Sequence, residues 1–126
     1  MTLEECYEKL GGDFHDVIGR LRKEKMVEKF ALKFINDDNL ELLRTSMDNK
    51  NYAEAFRAVH TIKGNCLNLG FKTLGDSSAR MSDIFREGNE AIRDSSDLEA
   101  EYNAFKKDYD MTKDVLKEYK EANGIA

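Results

Sequence analysis

An all-α fold is predicted for this chain, on three observations. No proline occurs in its 126 residues, and proline is the residue that most strongly interrupts helices. Charged residues make up 36% of the chain, and Ala, Leu, Glu, Lys and Arg are plentiful, a composition of good helix formers. Finally, Leu98, Tyr102, Phe105, Tyr109, Thr112, Leu116 and Tyr119 alternate steps of four and three, a seven-residue repeat. Such a repeat implies near-parallel, left-handed packing of helices in a bundle. The length suits one domain, residues 1–126, able to bury a core without metals or disulfides.

The elements follow in order. Thr2-x-x-Glu5 is a capping box opening a short helix to Leu10, closed by Gly11-Gly12. Asp13 caps a second short segment with Phe14, Val17, Ile18 and Leu21 on one face. A longer helix, about Lys23 to Asn36, has Met26, Val27, Phe30, Phe34 and Ile35 at helical spacing. Asp37-Asp38 breaks it and starts a piece with Leu40, Leu43 and Met47 facing the core. These N-terminal helices occupy residues 1–50. Asp48 to Asn51 is a loop, and Asn51 with Glu54 resembles a capping box for a helix reaching Leu69. Gly70 sits where a left-handed C-terminal cap belongs, with Phe71 placed to fold back on the last turn. The next helix runs from about Phe71 to Glu87 with Leu74, Met81, Ile84 and Phe85 inward, ending near Gly88-Asn89. Ser96-x-x-Glu99 opens the last helix, and Gly124-Ile125-Ala126 is expected to fray. The helix beginning at Asn51 and the two after it fill residues 51–122.

Composition excludes several function classes. A formal charge of −5, with both signs interspersed, argues against a nucleic-acid or anionic-membrane surface. No apolar run approaches the length of a spanning helix, and no signal peptide is visible. A cytoplasmic location is expected. Cys6 and Cys66 form no metal-ligand spacing, and Cys66 lies on a core stripe as a buried thiol would. His15, between Asp13 and Asp16, reads as a solvated turn histidine. The two histidines, without a Glu-x-x-His pair, make no di-iron or zinc site. No Gly-rich phosphate loop, nucleotide-binding signature or acidic magnesium cluster is present, so ATP-dependent kinase activity is not expected.

The run His60-Thr61-Ile62-Lys63-Gly64 is the most informative in the chain. On a helix, Lys63 and Gly64 fall about 60° and 40° either side of His60. The core stripe Ala55, Ala58, Val59, Ile62, Cys66 and Leu69 is centred about 160° away, so His60 points outward. Phosphoryl transfer at an imidazole asks for a nucleophilic nitrogen, a cation for the phosphoryl oxygens and room for a partner. A mid-helix glycine costs about 1 kcal/mol relative to alanine. On the solvent side, close approach by another molecule explains Gly64 where core packing does not. Ala53, Phe56 and Leu67 lie within about 40° of the His60 direction, with Arg57 at the edge of that face. An apolar stripe there fits a docking surface; partial burial against a neighbouring helix fits Phe56 and Leu67 equally well.

The segment Ala58–Phe71 resembles the histidine-containing phosphotransfer (HPt) family, in its His-x-x-Lys-Gly run, the glycine six residues later and the aromatic after it. The resemblance implies an antiparallel up-and-down four-helix bundle with additional short N-terminal helices. It implies that His60 accepts a phosphoryl group from a receiver-domain aspartate, and passes it to another receiver, as a stoichiometric carrier. Lys63 would neutralise the phosphoryl group and Gly64 would clear space for the partner. The chain would need no cofactor of its own, since the receiver brings the magnesium ion. Response-regulator receivers and a hybrid histidine kinase are the partners implied, and a monomer is expected. One departure stands out: many members place a glutamine 22 positions after the histidine, facing it, and here that position is Ser82. The alternatives are the phosphoacceptor domain of a chemotaxis-type histidine kinase, and a helical docking or scaffold module that transfers nothing.

Overall fold

Residues 1–125 are described by the computed structural model, and every regular element among them is helical. In chain order these are α1 (Leu3–Leu10), α2 (Phe14–Leu21), α3 (Glu24–Lys33), a 3-10 turn (Phe34–Asn36), α4 (Asn39–Asp48), α5 (Tyr52–Leu69), α6 (Lys72–Phe85), α7 (Glu90–Asp94) and α8 (Leu98–Ala122). Helix α5 packs most extensively on α6 and α4, and α6 also packs on α8. Residues 66 and 52 of α5 meet residues 75 and 85 of α6, so the two helices run antiparallel. The same sense holds for α6 and α8, tied by Ser77–Asp108 and Arg80–Glu101. The predicted α8 stripe from Tyr102 to Tyr119 is buried along its whole length.

Gly70 joins the N-terminal helices to α5. Its φ of +70° is left-handed backbone, and a Cβ there would lie 2.7 Å from the Asp13 carbonyl oxygen. That close approach lets the Asp13 N–H donate to the Gly70 carbonyl at 2.7 Å. The carbonyls at the end of α5 are satisfied from the same side. Tyr7 Oη donates to Leu69 O at 2.7 Å, and Arg20 donates to Leu67 O and Asn68 O at 2.6 and 2.8 Å. Phe71 is buried, with its ring centroid 5.7 Å from Tyr7 and 5.5 Å from Phe34. The residue after the cap is thus a centre of the aromatic core as well as a staple for the last turn of α5.

Several elements differ from their sequence expectations. The helix expected to run to Asn36 tightens into the 3-10 turn after Lys33, where Asp37 turns its carboxylate to the Asn39 N–H at 3.1 Å and accepts from Tyr109 Oη at 2.6 Å. Met26, one of the apolar residues at helical spacing, is 37% exposed, because Val27 and Ala31 take the inner face of α3. Only half of the second capping box forms: Asn51 Oδ1 accepts from the Glu54 N–H, while the Glu54 carboxylate pairs with Arg57 at 2.6 Å. The last helix is capped by Asp97, which accepts from the Ala100 N–H at 3.1 Å. Ser96 instead donates to the carbonyl of Ile92 in α7, a short helix lying between the expected helix end near Gly88-Asn89 and the expected start at Ser96. Gly124 and Ile125 do not fray: their N–H groups bond to Glu121 and Lys120 carbonyls, and Ile125 packs against the core. Ala126 lies outside the described residues.

Candidate functional site

Helix α5 carries every candidate residue. It is anchored by the Asn51 cap at one end and by the Gly70, Tyr7 and Arg20 contacts at the other. Ala55, Ala58, Val59, Ile62, Cys66 and Leu69 are buried, as the helical phase predicts. His60 lies on the opposite, exposed face with Ala53, Gly64 and Leu67, the last 62% exposed. A Cβ built on Gly64 meets nothing within 4 Å, so the space beside His60 on that side is open.

The other candidates are placed less simply. Lys63 is half-buried, has no carboxylate within ion-pair distance among the described residues, and lines a groove of about 220 Å³ between α5 and α6 with Leu67, Gly75 and Ala79. Phe56 is half-buried, and its ring stacks on His60 with centroids 5.3 Å apart and planes 20° apart. Arg57 is turned along its own helix into the pair with Glu54. The equal balance between docking and partial burial therefore resolves differently for the two apolar residues: Leu67 is exposed, Phe56 partly covered.

Ser82 does not face solvent beside the histidine. The α5–α6 register places it level with Val59 and His60, but it is completely buried, and its hydroxyl has no hydrogen-bond partner among the described residues. Burial pushes the Cys66 thiol up to about 12 and the Cys6 thiol up to about 11, which keeps both protonated and unreactive at neutral pH. His15 is exposed on α2, a different element from the helix that carries His60.

Sequence reading missed Arg86. It follows the last residue of α6, and its guanidinium lies 5.3 Å from the Phe56 ring centroid. Nothing in the periodicity of α5 signals it, because the contact depends on the register between two helices.

A family model of the Hpt domain matches residues 36–112, more than half of the chain. The chain belongs to the Hpt domain family. Hpt domains serve histidine phosphotransfer in two-component phosphorelays, working with receiver domains and histidine kinases, and are carriers rather than kinases. The Hpt match begins in the 3-10 turn and ends within α8, so α1, α2 and α3 lie outside it. No curated protein and no solved structure matches the chain. No helix among the described residues is long and apolar enough to cross a membrane.

Proposed function

We propose that this Hpt domain is a phosphorelay intermediate in which His60 accepts a phosphoryl group from a receiver aspartate and delivers it to a second receiver. The observation that carries the reading is the exposed His60 beside the open space at Gly64, inside the segment that matches the family. The Nε2 lone pair of a neutral imidazole forms the N–P bond while the bond from phosphorus to the aspartyl oxygen breaks, its electron pair leaving with the carboxylate. Nδ1 keeps its proton during attack and the resulting imidazolium releases one to water. Return transfer reverses these steps. An imidazole suits both directions, since the same nitrogen is nucleophile in one and leaving group in the other.

Lys63 offers a cation, unpaired among the described residues, to the phosphoryl oxygens. Gly64 clears the approach, and Ala53, Arg57 and Leu67 border the landing face. The receiver supplies the magnesium ion. In this reading α4, α5, α6 and α8 form an antiparallel up-and-down bundle, the chain acts as a cytoplasmic monomer, and a hybrid kinase stands upstream.

The test is incubation with a phosphorylated receiver. His60 is expected to acquire an acid-labile, alkali-stable label, and His60→Gln to lose it at unchanged helicity. Labelling that persists in the variant, or that moves to His15, refutes the assignment.

A further inference from the structure

Tyr52, Phe56 and His60 stand one turn apart on α5, and each of the first two is met by an arginine from beyond that helix. The Arg93 guanidinium lies 4.4 Å from the Tyr52 ring centroid, and Arg86 lies 5.3 Å from that of Phe56. Tyr52 is rooted in the core through a stacked contact with buried Phe85, at 5.8 Å and 18°. His60 is the last ring in this series, and among the described residues no arginine is stacked on it. What it touches is Phe56, in a near-parallel, offset arrangement.

An exposed imidazole on a helix ordinarily samples several χ1 and χ2 wells. In-line attack on phosphorus requires one of them, with Nε2 directed along the P–O bond that breaks. We propose that Phe56 is a positioning residue, whose ring, pinned by Arg86, holds the His60 imidazole in its outward, attack-ready rotamer. The inference rests on the phosphotransfer reading for its consequence, but not for its structural content. Helical phase left Phe56 balanced between a docking surface and partial burial; its half-buried ring, between Arg86 and His60, suits it better to supporting the nucleophile. Among the described residues, the one ion pair to draw Arg86 away is a 3.4 Å contact with Asp83, and a cation against an aromatic face restrains both groups.

The test separates support from docking. In Phe56→Leu, with folding checked by a urea melt, the His60 side-chain couplings measured by NMR on the receiver-free protein should change from single-rotamer to averaged values. The transfer rate constant at saturating phosphorylated receiver should fall about three- to sixfold, the number of staggered and two-fold wells released, at unchanged KM. Phe56→Tyr keeps the ring and should restore both readouts. Couplings that stay single-rotamer in Phe56→Leu overturn the proposal, as does a raised KM at unchanged kcat, which is the signature of a docking residue. If the parent protein takes no phosphoryl group from the receiver, the phosphotransfer reading falls, while the couplings still decide whether Phe56 holds the ring.

Discussion

Gly64 offers the sharpest perturbation, because stability and transfer should respond in opposite directions. It is the thirteenth of the 18 residues of α5, remote from both caps, and a Cβ added to it meets nothing within 4 Å. No steric term therefore opposes substitution, and its φ lies outside the left-handed range. Helix propensity and the reduced freedom of the unfolded chain then act alone. Gly64→Ala should stabilise the domain by about 0.5–1 kcal/mol. With an unfolding entropy of about 2 cal/mol/K per residue, that is a rise in Tm of roughly 3 °C for a chain of this size. Gly64→Gln should retain most of the gain, since glutamine is a good helix former. Its side chain also projects into the space beside His60, where the receiver must bring its aspartate. Urea melts and receiver-to-domain transfer assays on both variants make the test. The expected pattern is a higher urea midpoint for both, near-parental transfer for Ala and slowed transfer for Gln. A lower midpoint for Ala would refute the open-space argument, and parental transfer by Gln would refute the clearance role.

Three further outcomes follow from the same geometry. Lys63→Ala should leave the urea midpoint within about 0.5 kcal/mol of the parent, as for most surface changes, yet remove a charge-assisted contact of about 1–3 kcal/mol from the transfer step; equal transfer rates would show that the receiver alone neutralises the phosphoryl group. Ser82→Ala deletes a buried hydroxyl without a partner, so stability should be unchanged or raised by up to about 1 kcal/mol, with transfer unaffected; slowed transfer would show that Ser82 contributes to the site after all. Gly70→Ala meets left-handed backbone and the Asp13 carbonyl together, and should destabilise by more than about 1 kcal/mol, read as a lower urea midpoint; a neutral result would mean that α2 can move away from α5.

The outward direction of His60, the buried stripe behind it and the left-handed cap at Gly70 were all legible in the chain. Each depends only on the 3.6-residue period or on the backbone freedom of one residue. The α8 stripe was legible for the same reason, while its exact start was not: Ser96 and Asp97 are both good caps, and the choice is made by Ser96 turning back to α7. Met26 shows the limit of phase without a partner. Several apolar residues shared α3, and only packing against other helices determines which of them are covered. Arg86, Arg20 and Tyr7 were invisible for a further reason. Each meets α5 across an interhelical register, and that register is fixed by the fit of Gly75 to Cys66 and of Gly70 to Asp13, not by any spacing within one helix.

The two flanks of His60 are built differently, and the difference follows from where α6 lies. Toward α6 the chain supplies its own neighbours: Phe56 stacks on the imidazole, Arg86 caps the Phe56 ring, and Lys63 borders the groove between the helices. Away from α6, at Gly64, nothing fills the space. In the proposed relay, a carrier that serves two receivers would gain from this asymmetry. The parts common to both transfers, ring orientation and positive charge, can be preorganised within the domain, where their ordering cost is met during folding. The part that differs between partners is left bare, so that no side chain of this chain has to move aside for either. Burying Ser82 rather than extending a longer polar group toward the histidine fits the same division, since stacking on Phe56 can restrain the ring without occupying a nitrogen that must bond to phosphorus.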